Sequence, residues 1–393
     1  MKKVGVFFGG RSVEHEISII SAMQVMKAMD KAKYEVVPVY ISKEGVWYTG
    51  PQLMYINNFK NYKNLMKNVT KVMPSMNAGE GTLMSYPEGF LKSSKVVSKL
   101  DVILPVFHGT YGEDGCFQGI FEVMGIPYAG CGVAAAAITM NKSFTKEICS
   151  AINIPVIASY KIDSDGWFRE KNTHIGNIEA KFSYPVIVKP DDLGSSIGVS
   201  KAGNKQELEN AIDLAASFTN NILVERCVTA IKEVNCSVAD IGNDIQVSEC
   251  EEPVIIGNEL LSFDEKYMNA DSSGEGMAGT KRKIPANISA QQKNDIQAYA
   301  AKIFRHLNCS GVCRIDFIID ESDQSVYLNE INTIPGSLAF YLWEATGKKF
   351  DTLLSELIET AIKRFARNSK TKKTFKSNVL FNIDGSKLSG KLG

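Results

Sequence analysis

The sequence predicts a mixed α/β and α+β protein of three lobes, the first of them built on a parallel sheet. Three observations carry this. At 393 residues the chain is too long for one ordinary core. Its opening alternates buried-strand and helix patterns at strand–helix–strand spacing, which signals parallel pairing. Beyond residue 234 the pattern changes to longer runs that read as antiparallel strands.

Taken in order, residues 3–8 form an apolar strand that ends at Gly9 and Gly10. A helix follows with apolar residues at Ile17, Ile20, Met23 and Met26, the period of one helical face. Residues 34–41 make the second strand. The stretch 50–98 is less regular, rich in Asn, Lys, Met and Gly, and reads as an elaboration on the first lobe. Residues 100–107 are again an apolar strand, followed by the loop HGTYGEDG and a helix over 116–124. A small-residue helix over 134–142 leads into the second lobe, with strands at 185–189 and 221–226 around a helix at 205–216. In the third, a helix at 290–306 precedes strands at 314–319 and 325–331, and a helix at 350–365 closes the fold. The lobes are thus expected at 1–136, 137–228 and 229–367, with a weakly anchored tail at 368–393 that is basic and then rich in Ser and Gly.

Composition narrows the function. Hydrophobic residues make up 44% and charged residues 22%, the balance of a globular protein in water. A formal net charge of zero gives no bulk attraction to nucleic acid or to an anionic membrane, so neither partner is expected. No stretch approaches the roughly twenty apolar residues of a membrane span, and the N-terminus lacks a signal sequence, so the expected location is the cytoplasm. The eight cysteines contain no CxxC pair, and the spacing of Cys309 and Cys313 matches no common zinc pattern. They read as reduced buried thiols.

Two segments carry chemistry. In Arg314-Ile315-Asp316 and Glu330-Ile331-Asn332, polar residues stand where strand burial calls for apolar ones. Strand side chains alternate, so Glu330 and Asn332 share a face, and Asp316 joins them if its strand is adjacent. Two carboxylates and an amide suit Mg²⁺; an ordinary solvent-facing strand edge is the alternative. Separately, the strand ending at Lys189-Pro190 runs into Leu193-Gly194-Ser195-Ser196, a small-residue loop whose N–H groups suit phosphates. Lys142 and Lys266 add cations. There is no GxxxxGKS and no GxGxxG, which argues against P-loop and Rossmann sites.

In order along residues 3 to 365, the motifs GGRSVEHEIS, HGTYGEDGCFQG, MNKSFTK, YPVIVKP, LGSSIGVSK, LVER, FDEKY, GVCRIDF and LNEINTIPG resemble the D-alanine–D-alanine ligases of the ATP-grasp superfamily. The resemblance implies a three-domain ATP-grasp fold and ATP-dependent coupling of D-alanine through an acyl phosphate, with Mg²⁺ (Mn²⁺ as substitute), and it leaves a homodimer open. It implies Asp316, Glu330 and Asn332 as metal ligands. Lys142 and Lys189 hold the phosphates, and Lys266 closes over them. Glu225 starts the adenine hinge, Arg226, Cys227 and Val228 offer backbone groups there, and Glu233 meets the ribose. Glu14 takes the first substrate's ammonium, with Ser195 and Tyr267 as its hydrogen-bonding partners. His108 and Arg314 lie near the transferred phosphate, and the Gly336 N–H is an oxyanion donor.

Two departures concern the acceptor. Where the family carries Ser-His-Ser-Leu, this chain has Ala339-Phe340-Tyr341-Leu342. The acceptor carboxylate is then expected to use the hydroxyl of Tyr341 or of Ser337, together with Leu342. The loop after Lys266-Tyr267 is longer and richer in glycine than usual, and residues 263–283 are expected to act as a lid. Within the family, a ligase for D-serine, D-lactate or another acceptor is the alternative, and retention of Tyr267 argues against D-lactate. From another class, a nucleotide-binding regulator without turnover is disfavoured by the intact Lys142, Lys189, Asp316, Glu330 and Asn332.

Overall fold

The first lobe opens with β1 (Lys2–Gly9), α1 (His15–Ala28) and β2 (Tyr34–Ile41). It continues through β3 (Trp47–Thr49), a 3-10 turn (Pro51–Met54), the short α2 (Ile56–Phe59) and α3 (Tyr62–Lys67), then β4 (Thr70–Pro74), β5 (Thr82–Ser85), β6 (Val96–Lys99), β7 (Val102–Pro105) and α4 (Cys116–Met124). The computed structural model describes residues 1–87, 93–242, 244–254, 282–372, 374 and 377. Lys266, Tyr267, the 263–281 part of the expected lid and most of the tail lie outside them.

The seven strands form one sheet in the order β6-β5-β4-β3-β2-β1-β7. Only β1 with β2 and β1 with β7 pair in parallel. The remaining pairs are antiparallel, because the 50–98 stretch folds as successive hairpin-like strands laid onto β2. The elaboration is therefore an extension of the parallel sheet.

Between the lobes the chain forms α5 (Val133–Met140) and α6 (Lys142–Ala151), where the sequence pattern suggested one helix. Asn141 separates them: its extended backbone ends α5, and its side chain accepts from the Phe144 N–H to cap α6. The central lobe comprises β8 (Ser159–Asp163), α7 (Ser164–Lys181), β9 (Val186–Pro190), β10 (Ser200–Ala202), α8 (Lys205–Ala216) and β11 (Asn221–Arg226), with an antiparallel sheet ordered β10-β9-β11-β8.

The last lobe holds β12 (Ile231–Ile241), β13 (Asp244–Pro253), β14 (Arg282–Lys283), α9 (Ala290–His306), β15 (Val312–Asp320) and β16 (Ser325–Asn332). A 3-10 turn (Gly336–Ala339), α10 (Phe340–Ala345) and α11 (Phe350–Asn368) complete it. Its sheet runs β14-β13-β12-β15-β16, all antiparallel.

The cores do not follow the lobe boundaries. Apolar packing around β1, β2 and β7 continues into Ala239, Ile241, Val312, Trp343 and the buried face of α11. The Arg364 guanidinium on α11 donates to the carbonyls of Tyr128 and Gly130, both at 2.7 Å. The central lobe has a separate core around Trp167, Val188, Leu208 and Val224. A small cluster of Ile157, Val228 and Ile318 lies where the chain enters and leaves that lobe.

Candidate active site

A cavity of about 1040 Å³ opens over the sheet of the last lobe. Its floor is set by strand register. Glu251 on β13 faces Asn235 on β12, Asn235 faces Asp316 on β15, and Asp316 faces Glu330 on β16. One row of polar side chains thus crosses four strands. Arg314 and Asn332 form the next row, two residues away on the same strands and so on the same face. The opposite face carries Cys313, Ile315 and Phe317, buried under α9.

Arg314 donates to Asp316 through Nε and Nη2, both at 2.7 Å, and the Asn332 amide nitrogen donates to the same carboxylate at 3.1 Å. Burial pushes the Asp316 carboxyl above its usual range; Arg314 opposes this, and facing Glu330 adds to it. Two facing carboxylates inside a cleft, beside an amide oxygen, form a hard-oxygen set that fits a divalent cation.

Above the floor stand the lysines. Lys142 opens α6, and burial lowers its pKa against the pull of Glu330. Lys189, at the end of β9, and Lys146, one turn beyond Lys142, both meet the Glu225 carboxylate at 2.7 Å. Lys146 also donates to the Ile157 carbonyl at 3.0 Å. The Glu225 carboxylate is 3% exposed and committed to this triad, which leaves only backbone to face a base. Beyond it Arg226, Cys227 and Val228 line the cavity, as does Glu233 on β12.

At the other end, Ser195 and Ser196 take left-handed backbone conformations with φ near 55° and 58°. That turn brings the Ser195 hydroxyl to Glu14, just before α1. Room for Glu14 depends on two glycines: a Cβ at Gly109 would lie 2.6 Å from its Oε2, and one at Gly194 3.0 Å away. Glu113 holds the HGTYGEDG loop to the end of β16, accepting from the Gly109 and Ile334 N–H groups at 2.9 Å each. Burial, then nearby Glu14, pushes its carboxyl up to about 8.

His108 lies behind this wall. Its Nε2 is 2.9 Å from the Ser21 hydroxyl, and burial with Arg314 nearby lowers its pKa to about 4, so the ring is neutral at pH 7. Ser21 also accepts from the Ser337 N–H at 3.0 Å. The turn opened by Gly336 is unusual: Ser337, Leu338 and Ala339 all have φ between 50° and 54°. The Ser337 hydroxyl is held by Gln24. Tyr341 donates to Glu251 at 3.0 Å, with the Arg282 guanidinium 3.7 Å above its ring. Arg282 pairs with Glu251 at 2.9 Å, and Leu342 is fully buried. Neither hydroxyl expected to meet the acceptor is therefore poised in the cavity, whereas Arg282 lines it.

Two family models cover most of the chain: the D-ala D-ala ligase N-terminus matches residues 3–131, and the D-ala D-ala ligase C-terminus matches 148–359. The chain belongs to the D-alanine–D-alanine ligase family. It is 40% identical over 366 residues to the D-alanine--D-alanine ligase of Thermosipho melanesiensis, covering 93% of this chain and 95% of that one. It is 38% identical over 380 residues to that of Acetivibrio thermocellus, covering 94% and 98%. Among solved structures, it resembles the Coxiella burnetii D-alanine-D-alanine ligase at TM-score 0.76, with 26% identity and coverage of 94% and 96%. It also resembles the VanG D-Ala:D-Ser ligase of Enterococcus faecalis at TM-score 0.75, with 31% identity and coverage of 92% and 99%.

Glu14, Lys142, Lys189, Ser195, Arg314, Asp316, Glu330 and Asn332 line one cavity. His108, Gly336, Ser337, Tyr341 and Leu342 do not line it. The sequence reading missed Lys146, Glu113, Asn235, Glu251 and Arg282. For the first there was a signal, since Lys142 and Lys146 are spaced to share a helix face.

Proposed function

We propose that this chain joins two D-alanine molecules into D-alanyl-D-alanine, a unit of peptidoglycan precursors, at the expense of ATP. The observation that carries this is one cavity holding two phosphate-suited lysines above the Arg314–Asp316–Glu330–Asn332 floor, with the Glu14–Ser195 pair at its end.

Glu14 takes the first D-alanine's ammonium and turns its carboxylate toward the γ-phosphate. Carboxylate and amine do not condense in water, so the carboxylate attacks phosphorus, ADP leaves and an acyl phosphate forms. Lys142, Lys189 and Arg314 spread the developing charge. When bound, a divalent cation, magnesium or manganese, held by Asp316, Glu330 and the Asn332 amide oxygen supplies neutralisation of the nucleotide phosphates. The second amine then attacks the acyl carbon. Arg314 stabilises the oxyanion, and phosphate departs.

The acceptor carboxylate is assigned to Arg282 and Arg314, because these two cations line the cavity whereas Ser337 and Tyr341 do not. A second reading, D-serine as acceptor, is favoured by the altered turn itself, since the family's serine is Tyr341 here.

ATP hydrolysis dependent on amino acid, screened across D- and L-amino and hydroxy acids with product masses recorded, tests both. D-alanine alone should support turnover and yield the dialanine mass. A mixed product at lower acceptor KM with D-serine would move the assignment to the second reading, and no dependence on any amino acid would overturn both. In the same assay, Arg282→Ala should raise the acceptor KM by roughly ten- to a hundredfold, the value of a hydrogen bond to a charged group. Tyr341→Phe and Ser337→Ala should change it less than Arg282→Ala does. The opposite ranking returns the carboxylate to the hydroxyls.

A further inference from the structure

On the reverse side of β15 from Arg314, three thiols meet. Cys313 is on the strand, Cys309 follows α9, and Cys131 comes from the loop before α5. Their sulfurs all lie within 4.8 Å of one another, with Cys131 and Cys313 at 3.6 Å. They are 2%, 8% and 0% exposed for Cys131, Cys309 and Cys313.

Backbone geometry makes the meeting tight. Gly311 has φ of +76°, and a Cβ there would lie 2.5 Å from the Gly130 Cα. Only a glycine at 311 lets these two loops touch, and the contact delivers Cys131 beside Cys309 and Cys313. The Ser310 N–H points at the Cys131 sulfur from 3.5 Å.

Three sulfurs each about 2.3 Å from a common ion, a metal–thiolate bond length, lie about 4 Å apart when the ion sits in their plane. The Cys131–Cys313 separation of 3.6 Å is close to that value, and the other two sulfur separations lie within 4.8 Å. Zinc in a structural site needs a fourth donor. Among the described residues no histidine or carboxylate completes the set. The nearby Asp240 carboxylate is taken up by the Ser310 hydroxyl at 2.7 Å and the Gly311 N–H at 2.5 Å. Soft thiolates without a fourth ligand select monovalent copper.

We propose that Cys131, Cys309 and Cys313 form a three-coordinate thiolate site for Cu(I), joining the first lobe to the last behind the substrate face of β15. Binding is coordination without a redox step: thiol protons are released to solvent as sulfurs engage the ion.

The test is anaerobic titration of the reduced full-length protein with Cu(I) against a chromophoric chelator, with Zn(II) titrated in parallel. Wild type should withdraw one equivalent of Cu(I), and X-ray absorption of the loaded protein should report three sulfur neighbours. Cys309→Ser, at the most exposed of the three positions, should weaken that binding at least a hundredfold. Cys236→Ser, at a separate buried thiol, should leave it unchanged. ATP-dependent turnover of metal-free Cys309→Ser should match wild type, since none of the three thiols faces the cavity. Equal copper retention by wild type and Cys309→Ser, no retention at all, or preference for zinc would each overturn the assignment.

Discussion

Asp316→Asn and Glu330→Gln should each lower kcat by about a thousandfold, because each removes a charge from the cation set at little change in volume. Charge stabilisation of several kcal/mol at the transferred phosphoryl group is at stake, and about 4 kcal/mol corresponds to that factor. The amide variants are preferred to alanine for a physical reason. Asp316 neutralises Arg314 through two 2.7 Å hydrogen bonds in a buried setting; Asp316→Ala would remove both acceptors as well as the charge, whereas the Asn amide oxygen keeps one of them. Turnover measured against magnesium concentration, with Tm recorded for each variant, separates the two effects. Activity within tenfold of wild type with unchanged magnesium dependence would show that these carboxylates are not ligands.

Glu225→Gln should destabilise the protein by roughly 3–5 kcal/mol, because it leaves the Lys146 and Lys189 ammoniums buried without their counter-charge. For a chain of this size that is a fall in Tm of roughly 4–6 °C. The pH dependence has a definite sign. Although burial opposes it, Lys189 and Lys146 hold the Glu225 carboxyl below its usual value near 4.5. The stabilisation is therefore present above about pH 4.5 and is lost as pH falls through the lower folded value. Thermal melts between pH 7 and 3 should show wild type losing stability on the acid side, with the loss reduced in Glu225→Gln. Coincident curves for the two proteins would mean that the triad contributes nothing.

Strands and helices with a strong local period were readable from residues alone. The 34–41 and 221–226 strands and the 290–306 helix have the expected bounds. For α9 the start is written in Ser289 and Gln292, which satisfy each other's backbone N–H groups. The sequence pattern did not reveal α7, whose eighteen residues bury only Ser164, Trp167, Ile175 and Ile178. Too few apolar residues repeat there to mark a face.

The site divides in the same way. Glu330 and Asn332 stood out because polar residues alternate with apolar ones on β16. The same alternation in Glu233-Val234-Asn235-Cys236-Ser237 marks the floor of β12 and was there to be read. The commitment of Tyr341 to Glu251 was not legible, because it depends on a partner 90 positions away. The thiol cluster was hidden for the same reason, as Cys131 and Cys313 are 182 positions apart.

The division of the cores sets which parts of the site share a support. The first and last lobes share one packed interior and are fastened again by Arg364. The central lobe has an interior of its own, with the small cluster of Ile157, Val228 and Ile318 where the chain enters and leaves it. Lys189 and Ser195 stand on the central lobe, while Glu14 and the Asp316 row stand on the shared body. Any displacement of the central lobe against that body would therefore part Lys189 from the Asp316 row and Ser195 from Glu14 together, so that the two ends of the cavity would open in one movement.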